Sequence, residues 1–280
     1  MINQRRLFTE KYPEKSHIID GRKWGIIKAG SSGPRLLLIP GTLGRADIFW
    51  QQIEALATRA QVLSVTYPAT HDLAQWADDI ANILDAEGIA RTTISGSSLG
   101  GYLAQYFAAK YPDRIDGLIA ANTLSSVEDL AQKPPYSTDI INVPIDQLRA
   151  GFLTGLKARA QPAQEYQLLT EMLIAEVEGL IPEVNLKARL LALKYAPAIP
   201  PVVIAREKVI VIESADDPLI IPAVQDGVRS FLSPSITYRF KQGGHFPYVV
   251  RPIAYLSILE ECLGLDITGD DWGRGEVREL

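Results

Sequence analysis

Apolar residues along this chain fall into two alternating patterns: short unbroken runs, and longer stretches in which they recur every three or four positions. An unbroken short run reads as a strand buried on both faces, and three-to-four spacing reads as a helix with one face on a core. Residues 17–29 (HIIDGRKWGIIKA) predict two short strands about an Asp20-Gly21 turn. Residues 35–39 (RLLLI) predict the first buried strand, ending at Pro40-Gly41, and 46–58 a helix. A strand at 62–66, a helix at 73–87 and a third buried strand at 92–95 follow. Leu99, Leu103, Tyr106 or Phe107, and Lys110 then keep helical spacing up to Pro112, and 115–121 is again a strand.

The alternation resumes late, with a strand at 208–213 (KVIVIE), a helix at 223–231, a strand at 236–240 and a helix at 253–263. Strand-helix-strand units pair parallel through right-handed connections, so the fold class is α/β with a mostly parallel central sheet flanked by helices. Residues 124–206 break the rhythm with leucine-rich helical stretches at 147–158, 164–179 and 184–194 and no convincing strand. They read as an inserted helical cap, with Pro134-Pro135 and Pro197, Pro200 and Pro201 near its ends. The expected organisation is a core of residues 1–123 and 207–265, a cap at 124–206, and a polar, loose C-terminal tail at 266–280.

Length and charge narrow the function classes. A chain of 280 residues can be two domains or one α/β domain with an insertion. The net charge of −5, with no block of five or six like charges, argues against a nucleic-acid partner. Cys262 is the only cysteine, which excludes an intrachain disulfide and a two-cysteine metal or redox motif and fits a reducing cytoplasm. No apolar stretch is long enough for a transmembrane helix, and no secretory signal is visible before Pro13.

Imidazole chemistry can draw only on His17, His71 and His245. Gly96-Ser97-Ser98-Leu99-Gly100, between the third buried strand and its helix, matches G-x-S-x-G in the strand-to-helix context that motif requires. A nucleophile on a sharp, strained turn needs side-chain-free neighbours, here Gly96 and Gly100. A serine hydroxyl is weak near neutral pH and needs a histidine base, itself oriented by an acid, in the chain order Ser, acid, His. The acid is expected after the 208–213 strand, at Asp216 or Asp217, with Asp217 preferred because it stands directly before Pro218. The base is expected after the next strand, where Gly243-Gly244-His245-Phe246-Pro247 lies. His71 reads as a helix-start or surface residue, and His17 lies far from the active edge. The oxyanion donors are expected to be the N–H groups of Leu99 and of Thr42, in Pro40-Gly41-Thr42-Leu43-Gly44, with Leu43 the alternative to Thr42.

Together these residues resemble an α/β-hydrolase of the serine-nucleophile type with a helical cap, over about residues 23–125 and 207–265. Pro40-Gly41 stands where many hydrolases have His-Gly, a departure that leaves a backbone donor intact. Within that superfamily a closer resemblance is to the maspardin-like proteins, carried by PGTLGRADIFWQQIEAL (40–56), GSSLGGYLAQYFA (96–108) and GGHFPY (243–248). Those proteins have asparagine at the position of His245 and are regarded as binding proteins that kept the fold and lost the base. The resemblance thus implies either an active esterase-type hydrolase working through an acyl-enzyme on a small-molecule acyl substrate, or a protein-binding module. Cofactor-free acyl transfer or perhydrolysis on the same triad is a third implication. The intact triad favours the enzyme.

Serine rather than aspartate at position 98 argues against haloalkane dehalogenase or epoxide hydrolase chemistry. No metal or organic cofactor is expected, since no dinucleotide fingerprint or Walker motif is present. A homodimer or a protein partner is compatible with the sequence. Phe152, Leu153, Tyr166, Leu168, Leu169, Met172 and Leu173 of the cap are candidates to line an acyl pocket, though apolar residues at helical spacing mostly pack helix on helix.

Overall fold

A computed structural model describes residues 2–128, 130–161 and 163–280. Its centre is a nine-stranded sheet in the order β1-β2-β4-β3-β5-β6-β7-β8-β9. The strands are β1 (Lys15–Ile19), β2 (Arg22–Ala29), β3 (Arg35–Ile39), β4 (Gln61–Thr66), β5 (Thr92–Ser97), β6 (Ile115–Ala121), β7 (Val209–Ser214), β8 (Ile236–Phe240) and β9 (Val277–Glu279). β2 runs antiparallel to β1 and β4, and all remaining pairs are parallel.

The unbroken apolar runs are explained by burial on both faces. Within β3, Leu36 and Leu38 join one core cluster and Leu37 and Ile39 the other, since side chains alternate along a strand. α3 (Leu73–Ala86), α4 (Leu99–Lys110) and α8 (Pro222–Leu232) cover one face. α1 (Ile2–Lys11), α2 (Trp50–Leu56), α9 (Pro247–Val250) and α10 (Pro252–Cys262) cover the other. From β3 the chain moves outward to β4, then returns past β3 to form β5 on its other side. That reversal opens a crevice at the carboxyl ends of β3 and β5, where open α/β sheets bind ligands.

Residues 124–206 carry α5 (Ile145–Ala158), α6 (Gln164–Ala175), a π-helical turn (Glu176–Leu180) and α7 (Glu183–Lys194). Their apolar sides are continuous with the core through Leu148, Tyr166, Leu169, Met172 and Leu173. A buried ionic cluster ties this region down: Glu176 accepts from Arg5 at 2.6 Å and from Arg45 at 2.8 Å, while Asp47 accepts from Arg5 at 2.8 Å. Burial opposes the charge on Arg5 and Arg45, but the two carboxylates outweigh it and raise both guanidinium pKa values.

Two expectations are corrected and one helix is added. The helix expected over 46–58 opens as a 3₁₀ turn (Ala46–Phe49) before α2, whose end at Leu56 falls short of Thr58. The N-terminal α1 was not anticipated, because its residues are mostly polar. The tail at 266–280 is not loose: Trp272 is buried, packs against Phe240 with ring centroids 4.8 Å apart and donates Nε1–H to Ala254 O at 3.0 Å. β9 then pairs with β8, giving backbone partners to what would be an unpaired sheet edge. Among the described residues no helix is long and apolar enough to cross a membrane.

Candidate active site

β5 is buried throughout and delivers the chain to Ser98, which adopts φ 54° and ψ −119° before α4 begins. A serine in this region is strained and persists only where its surroundings enforce it. Here Ser98 N–H donates to Ala121 O at 3.0 Å, and Ser98 O accepts from Thr123 Oγ1 at 2.6 Å. The two glycines are steric necessities. A Cβ on Gly96 would stand 2.0 Å from Gly100 O, and one on Gly100 would stand 2.3 Å from Ile39 O. The elbow thereby packs directly on the end of β3.

At the carboxyl end of β7, Asp217 turns inward and its Oδ1 accepts the N–H groups of Leu219 at 2.8 Å and Ile220 at 3.0 Å. His245, on the loop after β8, directs Nδ1 at Asp217 Oδ2 at 2.9 Å, and an ionised carboxylate can only accept, so Nδ1–H donates. Both side chains are buried. Burial would raise the Asp217 carboxyl pKa, but the His245 ring and the hydrogen bonds from His245, Ile220 and Asn122 hold it below the usual carboxylate value. Asp216 points elsewhere: its Oδ1 accepts from Gly243 N at 2.9 Å and Gly244 N at 2.8 Å, pinning the loop that carries the histidine.

Asn122 was not singled out from the sequence. It follows β6 directly, is buried with φ 41°, and its Nδ2 donates to Asp217 Oδ2 at 3.0 Å, Ser214 Oγ at 3.1 Å and Gly244 O at 3.2 Å. One amide thus joins the acid, the end of its strand and the histidine loop. The legible signal was a lone asparagine at the sheet edge where ligands bind.

Ser98 and His245 line the same cleft of about 1220 Å³, together with Gly41, Thr42, Leu43 and residues of α5 and α6. Leu99 is the first residue of α4, so its N–H has no partner within the helix and lies at the positive end of the helix dipole. Residues 41–44 form a turn closed by Gly44 N–H to Gly41 O at 3.0 Å, and a Cβ on Gly41 would stand 3.1 Å from Ser98 Cβ. The first buried strand therefore brings Thr42 and Leu43 beside the elbow. Of the cap candidates, Phe152, Tyr166, Leu169 and Leu173 line the cleft; Leu153, Leu168 and Met172 do not. His71 is exposed and immediately precedes Asp72, the N-cap of α3, and His17 lies on β1 opposite Trp24.

The model of the alpha/beta hydrolase fold family matches residues 34–188, more than half of the chain. The chain belongs to the α/β-hydrolase fold family. Maspardin of Danio rerio is 33% identical over 127 residues, 42% of this chain and 40% of that protein. Maspardin of Homo sapiens is 34% identical over 127 residues, 42% of this chain and 41% of that protein. The chain thus matches about two fifths of the length of these curated relatives. Among solved structures, the enol-lactonase from Burkholderia xenovorans LB400 superposes with a TM-score of 0.74 at 16% identity, covering 89% of this chain and all (100%) of that one. A thermophilic esterase from Thermogutta terrifontis superposes at 0.73 with 18% identity, covering 90% of this chain and 98% of that one. At such identities the likeness is one of fold.

Proposed function

We propose that the protein is a serine hydrolase acting on a carboxylic ester or a related acyl substrate, through Ser98 as nucleophile, His245 as base and Asp217 as the acid that orients it. The observation that carries this reading is the hydrogen bond from His245 Nδ1–H to a buried, ionised Asp217, with the imidazole lining the same cleft as a serine held at positive φ. With Nδ1 engaged, Nε2 is the nitrogen left to take the hydroxyl proton of Ser98.

Ser98 Oγ then attacks the acyl carbon, and the carbonyl electrons move onto oxygen. The N–H groups of Leu99 and of Thr42 or Leu43 hold that oxyanion. As the tetrahedral species collapses, the ester C–O bond breaks and His245 gives its proton to the leaving alkoxide, leaving an acyl-enzyme on Ser98. Water attacks this ester with His245 again as base, and as the acyl C–O bond to Ser98 breaks His245 returns the proton to Ser98 Oγ and the acid is released. The buried Asp217 stabilises the imidazolium of each tetrahedral species without itself taking the proton.

A binding role is the second reading, favoured by the similarity to maspardin over 127 residues. Turnover separates the two. Purified protein is incubated with p-nitrophenyl esters from acetate to octanoate, and the released acid is identified by mass spectrometry. A hydrolase releases acid with saturation kinetics that Ser98→Ala abolishes. A binding module shows no turnover above that variant.

A further inference from the structure

Arg189 lies among leucines and alanines in the middle of α7 and is only 1% exposed. Its Nη1 donates to Thr42 O at 2.9 Å and to Gly44 O at 2.7 Å, and its guanidinium carbon sits 5.3 Å from the centre of the Tyr67 ring. Among the described residues it makes no ion pair, and its Nε has no hydrogen-bond partner. Glu176 and Glu14 favour its charge only from a distance, and each is engaged elsewhere, Glu176 by Arg5 and Arg45 and Glu14 by Thr66. Burial brings its pKa down to about 10, which still leaves it cationic at neutral pH.

A buried cation without a carboxylate partner is an expensive way to fill a helix position, because desolvation opposes it and an apolar side chain of similar size would pack there at less cost. What Arg189 holds is the turn that faces the elbow. Gly41, Thr42 and Leu43 line the cleft and Arg189 does not, so the guanidinium sits behind the turn. We infer that Arg189 is a positioning residue for the oxyanion hole: from the cap it fixes the 42–44 turn and keeps a positive charge behind the N–H groups that face the acyl oxygen.

The inference rests on the reading of Ser98, His245 and Asp217 as a hydrolytic triad. Thr42 O belongs to the same peptide unit as Leu43 N–H, and accepting a charge-assisted hydrogen bond polarises that unit and strengthens its donor. A fixed charge in a site shielded from water stabilises negative charge as it develops, with no reorganisation at the moment of reaction. Because the oxyanion exists only in the tetrahedral species and, in part, in the transition states flanking it, the effect falls on kcat rather than on substrate binding.

The test uses the full chain with Arg189→Gln, which keeps a neutral donor, and Arg189→Lys, which keeps the charge. The readouts are kcat and KM on p-nitrophenyl butyrate, the inhibition constant of an aryl trifluoromethyl ketone that forms a tetrahedral oxyanion on the serine, and the melting temperature. Arg189→Gln is expected to lose about tenfold or more in kcat, with KM within about threefold, and to bind the ketone more weakly by the same factor. Its melting temperature is expected to hold or rise, since a desolvated charge has been removed. Arg189→Lys is expected to keep most of kcat. A Gln variant with wild-type kcat and ketone affinity overturns the inference, as does a loss that tracks melting temperature and is equal in Gln and Lys. A wild-type chain that neither turns over the ester nor binds the ketone overturns the triad reading itself, a result distinct from either.

Discussion

Asn122 donates to the same carboxylate oxygen, Asp217 Oδ2, that accepts from His245, at 3.0 and 2.9 Å. A carboxylate gripped in this way cannot rotate away from the imidazole, and the imidazole cannot leave its tautomer. Because Asn122 sits at φ 41°, where glycine is at ease, Asn122→Gly removes the amide without straining the backbone. A hydrogen bond to a charged group contributes about 1.5–3 kcal/mol, so the variant should lose about tenfold or more in kcat with little change in KM. Steady-state kinetics on a p-nitrophenyl ester check this, and unchanged kcat would show that Asp217 needs no such hold.

The depressed pKa of Asp217 has a consequence for acid stability. A carboxyl whose folded pKa lies below its unfolded value of about 3.9 adds stability above that value, and the gain is lost as pH falls through the folded pKa. Urea denaturation of wild type and Asp217→Asn should therefore differ most above about pH 4 and converge at lower pH. A gap that stayed constant down to low pH would mean that the carboxyl is not held ionised by its neighbours.

Packing at the elbow leaves no room for a methyl group. Gly96→Ala and Gly100→Ala each drive a Cβ into backbone oxygen, at 2.0 Å from Gly100 O and 2.3 Å from Ile39 O. Each should destabilise the fold by about 3 kcal/mol or more, beyond the usual cost of overpacking, because the clash is with backbone. Thermal denaturation or loss of soluble protein reports it.

The cluster of Arg5, Arg45, Asp47 and Glu176 predicts a coupling between α1 and the π-helical turn after α6. Glu176→Gln leaves two arginines sharing Asp47 in a buried site and should cost about 3–5 kcal/mol. Urea denaturation measures the loss, and if it stays below about 1 kcal/mol the cluster is not holding that turn to α1.

Much of this was readable in the chain, for reasons particular residues make plain. Residues 36–39 and 118–121 are apolar at every position because both faces of β3 and β6 are covered there, and the elbow announces itself because its glycines have no substitute. Asp217 and His245 were expected from the order in which strands must deliver them, and the structure pairs the two while Asp216 binds Gly243 and Gly244. Asn122 and Arg189 escaped notice because each is one polar residue in apolar surroundings, and its importance lies in partners 95 and 147 residues away in sequence, Asp217 and Thr42. The tail escaped for the opposite reason. Its polar composition hides Trp272, and β9 is stabilised by the free edge of β8 rather than by its own pattern.

The central claim is that Ser98 is an activated nucleophile, and reaction with a fluorophosphonate probe tests it most directly. Folded wild-type protein should be labelled, with the adduct mapped by mass spectrometry to the peptide containing Ser98, and both Ser98→Ala and His245→Asn should abolish labelling. Folded wild-type protein that stays unlabelled, or a label that maps elsewhere or survives His245→Asn, would contradict it.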